Sequence, residues 1–290
     1  MTNIDQHFEA YSAWRQELFK AVGDFRGWLQ SQELADVQVD QRLDQVLSTL
    51  RDDKLYVAFV AEFSRGKSEL INAIFFAAFG QRVLPSSAGR TTMCPTELMY
   101  EKGSAPCIRL LPIETRASGT SVSELRGFAE EWTTIPLDIE SPDKVAQALQ
   151  HIAEIKKVSK EIAQTLGLHI AEEETQNGMH LSEDGMVEVP RWRHAIINFP
   201  HPLLDQGLVI LDTPGLNALG TEPELTLSLL PSAHAVLFIL AADTGVTKSD
   251  IQVWHDFISN PKHGSNKGRI AVLNKIDGLW DELKTEDAVK

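Results

Sequence analysis

Leu55-Tyr-Val-Ala-Phe-Val-Ala61-Glu62-Phe63-Ser64-Arg65-Gly66-Lys67-Ser68-Glu69 is the stretch on which the fold turns. Its first seven residues form an apolar run rich in aromatic and β-branched side chains, which predicts a strand buried on both faces. Ser68–Phe79 reads as a helix. The turn between them ends in Gly66-Lys67-Ser68, so strand, glycine-bearing turn and helix N-terminus follow one another as a phosphate-binding loop requires. In such a loop the backbone N–H groups of Ser64 to Ser68 wrap the phosphates, and the helix dipole adds positive field. Lys67 then sits against the β/γ-phosphate oxygens and the Ser68 hydroxyl ligates Mg²⁺. One residue departs from the usual pattern: Ala61 stands where glycine is common. The candidates on the phosphate side are Glu62, Phe63, Ser64, Arg65, Gly66, Lys67, Ser68 and Glu69.

Working outward, Asp212-Thr-Pro-Gly215 follows the apolar run Leu208–Leu211. A carboxylate at that strand end, opposite the loop, can hold Mg²⁺ through water, and Gly215 can offer its N–H to a γ-phosphate. Asn274-Lys275-Ile276-Asp277 follows another such run, Arg269–Leu273. An Asp carboxylate there accepts from the N1–H and exocyclic amine of guanine, a donor pair that adenine lacks. Asn274 would bridge to the phosphate loop, and the Lys275 stem would cover the base. Between the first two motifs lies Thr91-Thr92-Met-Cys-Pro95, where a switch threonine can close on Mg²⁺ and the γ-phosphate.

Further strands are expected at Glu97–Tyr100, Cys107–Leu111, His194–Phe199 and Ala235–Leu240. Short buried strands alternating with helices predict an α/β fold: a mainly parallel sheet covered on both faces. The rhythm breaks over about 115–189. There, Ser141-Pro142 starts a helix whose apolar positions run Val145, Leu149, Ile152, Ile155, Ile162 and Leu166, with Gly167 as its stop. Glu172–Gly185 reads as a polar loop. At the N-terminus, Phe8, Tyr11, Leu18, Val22, Phe25 and Leu29 repeat with helical spacing, widened by Trp14 and Trp28. A second amphipathic helix carries Leu43, Val46, Leu47 and Leu50, with Asp40 as its expected cap. These two helices either pack on the main domain or belong to a bundle completed by partners.

Composition narrows the function classes. The chain has 290 residues, 27 basic against 41 acidic, for a net charge of −14. That balance argues against nucleic acid as a partner and against broad contact with an anionic membrane. The N-terminus has neither the basic nor the apolar region of a signal peptide. Cys94 and Cys107 form no CxxC pair and read as free thiols of a reducing, cytoplasmic compartment. His194 and His201 read as strand and loop residues rather than as metal ligands.

Taken in order, the motifs resemble those of the dynamin superfamily of large GTPases, bacterial dynamin-like proteins in particular. The resemblance rests on Ser64 and Gly66-Lys67-Ser68, on Gly89 to Pro95 with Thr92, on Asp212-Thr-Pro-Gly215 and on Asn274-Lys-Ile-Asp277. It spans about residues 55–280. Thr92 and Asp212 are 120 positions apart, a spacing that fits enlarged dynamin-like G domains rather than small Ras-like GTPases. Leu216 stands where Ras-like proteins carry a catalytic glutamine, which also fits dynamins. The resemblance implies a P-loop GTPase fold and Mg²⁺-dependent hydrolysis of GTP. It further implies a bound monovalent cation, held with the attacking water by Ser64, while Thr92 orients that water. Catalytic candidates are therefore Ser64, Lys67 and Thr92, and metal ligands Ser68, Thr92 and Asp212.

By the same resemblance, the N-terminal helices feed a bundle, the protein forms a homodimer across the nucleotide face, and the full-length protein acts on membranes peripherally. Related GTPases use the region of Asp243 and Asp250 across the dimer interface; read alone, these are exposed loop charges. Arg65 reads either as an arginine finger or as a surface arginine. The chain ends 13 residues after Asp277, where a complete G domain needs a further strand and helix. The expected organisation is thus a helical segment over 1–52 and a truncated G domain over 53–290, with an insertion at about 115–189. The expected activity is GTP hydrolysis. The rival is a GTP-dependent scaffold that assembles with partners without significant turnover.

Overall fold

The computed structural model describes residues 3–34, 36–51, 54–62, 64–85, 94–168, 186–213, 233–259 and 268–279. The chain divides into two compact units, Met1–Leu55 and Tyr56–Lys290.

The first unit holds α1 (Asn3–Ser31) and α2 (Val37–Arg51). The expected cap of the second helix is corrected. Asp36, not Asp40, accepts from the Val39 N–H, at 2.7 Å, and so takes the capping position one turn earlier. Asp40 instead receives both arms of the Arg26 guanidinium, at 2.8 and 2.9 Å, while Asp44 takes a third bond at 2.6 Å. The guanidinium holds the Asp40 carboxyl below its ordinary range. Along α1, Tyr11 pairs with Trp14 and Phe25 with Trp28, and all four stay exposed.

Among the described residues, the second unit is built on an eight-stranded sheet. Its strands are β1 (Leu55–Ala61), β2 (Thr96–Met99), β3 (Cys107–Pro112), β4 (Thr133–Pro136), β7 (Trp192–Asn198), β8 (Leu208–Asp212), β9 (Ala235–Ala241) and β10 (Gly268–Asn274). They lie in the order β10-β9-β1-β8-β2-β7-β3-β4. β10, β9 and β1 run parallel, as do β2 and β7. β2 is antiparallel to β8, and β3 is antiparallel to both β7 and β4. The central strand β1 has the buried apolar sequence of a strand covered on both faces: Val57 to Ala61 are all buried. Ala58, Val60, Leu211, Val236 and Phe238 share one core cluster.

α3 (Lys67–Phe75) ends earlier than its sequence suggests. Phe76, at φ −122°, leaves the helix and packs on Phe199 with ring centroids 4.9 Å apart. A single tight turn, Ala77–Phe79, follows and closes on Gly80. Tertiary burial of one aromatic ring thus outweighs continued helical hydrogen bonding.

The long helix expected from Ser141 to Gly167 is also corrected. α4 (Val122–Leu125) precedes it, and α5 (Pro142–Gln150) does begin at Ser141-Pro142. β5 (Ile155–Val158) then interrupts it, pairing antiparallel with β6 (Val187–Pro190). Ser159 caps a new short helix, α6 (Lys160–Thr165), and Gly167, at φ +69°, stops it. The apolar residues shared a helical period by coincidence; the partner strand lies some thirty positions downstream. Ile113, Val158, Ala163, Leu168, Val187 and Val189 form a separate small core there. The expected polar loop Glu172–Gly185 lies outside the described residues.

The unit also holds α7 (Pro202–Asp205) and α8 (Lys248–Val253). His194 lies on β7, as expected, buried 2.8 Å from the Glu97 carboxylate of β2. Burial would push the Glu97 carboxyl up, but His194 and Arg126 hold it down to about 2. His201 precedes α7, where its ring accepts from the Leu203 N–H.

Candidate nucleotide site

Register places the motifs together. Ala61 of β1 sits opposite Ile239 of β9, and Ala241 of β9 sits opposite Asn274 of β10. Since these three strands are parallel, the segments that follow them leave from one edge of the sheet, where open α/β sheets bind ligands. β8 is the neighbour on the other side of β1, and the bond from Lys67 to Asp212 places its C-terminal end beside the same loop. The Thr213 hydroxyl donates to the Phe59 carbonyl of β1 at 3.0 Å, which ties the two strand ends.

Gly66 is required where it stands. It caps α3 in the left-handed region, at φ +84°. A Cβ there would lie 2.5 Å from the Asn274 side-chain nitrogen, so the Asn274 side chain would have to move. That nitrogen donates to the Arg65 carbonyl at 3.0 Å and to the Gly66 carbonyl at 3.4 Å. The bridge expected from Asn274 to the loop is thus present in the structure. Ser64 also takes a left-handed conformation, φ +64°, without being glycine. Such a backbone costs on the order of 1–2 kcal/mol, so the surrounding contacts must enforce it.

Lys67 and Ser68 open α3 and both are buried. The Lys67 ammonium donates to the Asp212 carboxylate and to the Thr213 carbonyl. A buried pair of this kind is held together mainly by what breaking it would leave behind, an uncompensated charge out of water. Glu69, in the first turn of α3, is half-buried and pairs with Arg82 at 2.8 Å.

Arg65 is neither a surface arginine nor, in this conformation, a free arginine finger. Its side chain is 5% exposed and donates to Glu62 at 2.6 Å and to Asp250 at 2.9 Å. Asp250 corrects its reading as an exposed loop charge, because it is fully buried. It is the third residue of α8 and forms a capping box with Thr247. Burial of the Arg65 guanidinium against two carboxylates is the physical reason for both corrections. Thr247 and Asp250 were not among the site residues expected from sequence. The signal was present, since Thr-x-x-Asp ahead of an apolar residue is a helix-start pattern.

At the end of β10, Lys275 has φ +58° and its ammonium lies 3.3 Å from Asp243. Asp243 is an exposed charge, as expected; Thr244 and Lys275 lower its carboxyl below the ordinary range. Asp277 is exposed in the tight turn Ile276–Leu279. Phe63, Thr92 and Gly215 lie outside the described residues. Among the described residues, no cluster of three or more His, Cys, Asp or Glu side chains could hold a metal ion.

The family model described as the dynamin family matches residues 57–276. The chain is 24% identical over 227 residues to a bacterial dynamin-like protein of Nostoc punctiforme, covering 78% of this chain and 24% of that protein. It is 23% identical over 248 residues to dynamin-like protein 2 of Campylobacter jejuni, covering 86% of this chain and 30% of that protein. Among solved structures it is similar to an oligomerised bacterial dynamin pair, described as a mechanism for long-range sensing and tethering of membranes. That match has a TM-score of 0.43 and 22% identity, over 86% of this chain and 29% of the other. This chain therefore spans less than a third of the length of these relatives.

Proposed function

This chain belongs to the dynamin family, and from that premise we propose that it binds GTP with Mg²⁺ and hydrolyses it. One juxtaposition supports the reading most: the Lys67 ammonium at the head of α3 meets Asp212 at the end of β8, while Asn274 clamps the loop between them. In the proposed bound state, Lys67 leaves Asp212 for the β- and γ-phosphate oxygens. The N–H groups from Ser64 to Ser68 cradle the same phosphates. Asp277 and Lys275 select and cover guanine, with Asn274 fixing the distance between base loop and phosphate loop.

The residues present fit Mg²⁺. Ser68 and Asp212 offer hard oxygen ligands from two adjacent elements, and a Mg²⁺ that shares its shell with phosphates and water needs one or two protein ligands. A cage of carboxylates would not be expected, in keeping with the ligand types at this edge. When bound, Mg²⁺ neutralises charge developing between the β- and γ-phosphates. Thr92 is proposed as a further ligand and as the group that orients water. Ser64 is proposed to hold that water and a monovalent cation.

We assign residues 53–290 to the G domain, with the insertion at about 115–189, and residues 1–52 to a helical segment that feeds a bundle. A homodimer across the nucleotide face, and cytoplasmic protein that reaches membranes peripherally, complete the proposal. Both rest on the family resemblance rather than on the geometry of the site. Among the described residues, no helix is long and apolar enough to cross a membrane.

The test is GTP turnover measured across protein concentration. The proposal expects specific activity to rise with concentration, as dimerisation across the nucleotide face requires. Tight GTP binding with no turnover at any concentration would instead identify a nucleotide-dependent scaffold.

A further inference from the structure

Arg65 sits at the meeting point of three segments. Its guanidinium is held by Glu62, at 2.6 Å, and by the N-terminal turn of α8 through Asp250, at 2.9 Å, and Thr247, at 3.3 Å. Its carbonyl is held by Asn274, at 3.0 Å, from the end of β10. The same Asp250 oxygen also accepts from the Thr247 N–H and hydroxyl, both at 2.9 Å. The Thr247 hydroxyl reaches on to Glu62 at 3.3 Å. Arg65, Glu62 and Asp250 are 5%, 6% and 0% exposed. Two carboxylates and one guanidinium make a buried cluster with one excess negative charge. Among the described residues, one oxygen of each carboxylate and the Arg65 Nε have no hydrogen-bond partner.

A cluster that buries charge and leaves polar atoms unsatisfied is a poor device for stability alone. Its position indicates another use. Arg65 lies between Ser64, at φ +64°, and Gly66, at φ +84°, the two described residues of the loop with left-handed backbone. Both must keep that conformation for the loop N–H groups to converge on phosphate. A fixed Arg65 constrains both peptide units beside it.

We propose that Asp250 is a positioning residue for the phosphate loop, acting through the Arg65 guanidinium. It holds the backbone of Ser64 to Gly66 in its phosphate-competent form and so couples α8 to nucleotide affinity. This rests on the reading of the loop as a nucleotide site, and the experiment separates the two.

GTP affinity and thermal stability are measured for the wild-type chain, Asp250→Asn, Arg65→Gln and the double variant. Asparagine keeps an acceptor for the Thr247 cap but removes the charge facing Arg65. Loss of one charge-assisted hydrogen bond predicts roughly ten- to a hundredfold weaker GTP binding for Asp250→Asn. Because both residues act through one contact, the double variant should bind little worse than Arg65→Gln alone. Ser121→Ala, which removes the capping box of α4 far along the chain, should lower stability and leave affinity unchanged. If Asp250→Asn only lowers stability, as Ser121→Ala does, or if the two losses of affinity simply add, the positioning role is wrong while the nucleotide site stands. If the wild-type chain binds no GTP, the site reading fails and the inference falls with it. Should Asp250→Asn not fold, Arg65→Lys provides the same comparison, with the charge kept and the forked geometry lost.

Discussion

Lys67→Ala is expected to lower GTP affinity at least a hundredfold, since it removes two or more charge-assisted bonds worth about 1.5–3 kcal/mol each. Two effects are predicted together. Without nucleotide, Lys67 compensates the buried Asp212 carboxylate. Taking away one partner of such a pair costs about 3–5 kcal/mol. For a chain of this size that corresponds to a fall in Tm of roughly 5–15 °C. Calorimetric titration with GTP and a melting curve read the two effects separately. Lys67→Arg divides them further. It keeps a cation beside Asp212 and so restores much of the stability, but a planar guanidinium does not replace a compact ammonium among phosphate oxygens. Lys67→Ala binding GTP like the wild type would remove the phosphate assignment.

Asp277→Asn is expected to invert base preference. An aspartate accepts from the N1–H and amine of guanine, whereas asparagine presents a donor where xanthine carries an acceptor. Sites built around such bonds discriminate strongly, so the ratio of GTP to XTP affinity should change on the order of a thousandfold. Asp277 is exposed in a short turn. Its replacement should therefore leave stability within about 0.5 kcal/mol. Competition between the two nucleotides reads the ratio directly. Loss of GTP binding with no gain for XTP, or no change at all, would mean that Asp277 does not read the base.

These expectations come from parts of the sequence that were legible for a simple reason. β1, β8, β9 and β10 are short apolar runs, and each is followed at once by a polar or glycine-bearing motif. Local chemistry alone singled out Lys67, Asp212 and Asn274; the parallel register of β1, β9 and β10 and the Lys67–Asp212 pair bring them to one edge of the sheet. What escaped depended on distant partners. β5 was hidden inside a helical period because the strand that pairs with it, Val187–Pro190, lies across the insertion. Asp250 read as a loop charge because its neighbour Arg65 is 185 positions away in the chain. Asp40 read as a cap because its bond to Arg26 joins two helices rather than one helix end. Charged residues were the hardest to place, since one side chain can cap a helix, face solvent or neutralise a buried partner. Burial, which sequence spacing does not encode for a lone charge, decides among them.

The central claim is that the ends of β1, β8 and β10 form one guanine-nucleotide site. It is tested most directly by titrating the wild-type chain with GTP and with ATP in the presence of Mg²⁺. The account predicts saturable binding of one GTP per chain, with ATP weaker by on the order of a thousandfold or more. Equal affinity for the two nucleotides, or no binding of GTP, would contradict it.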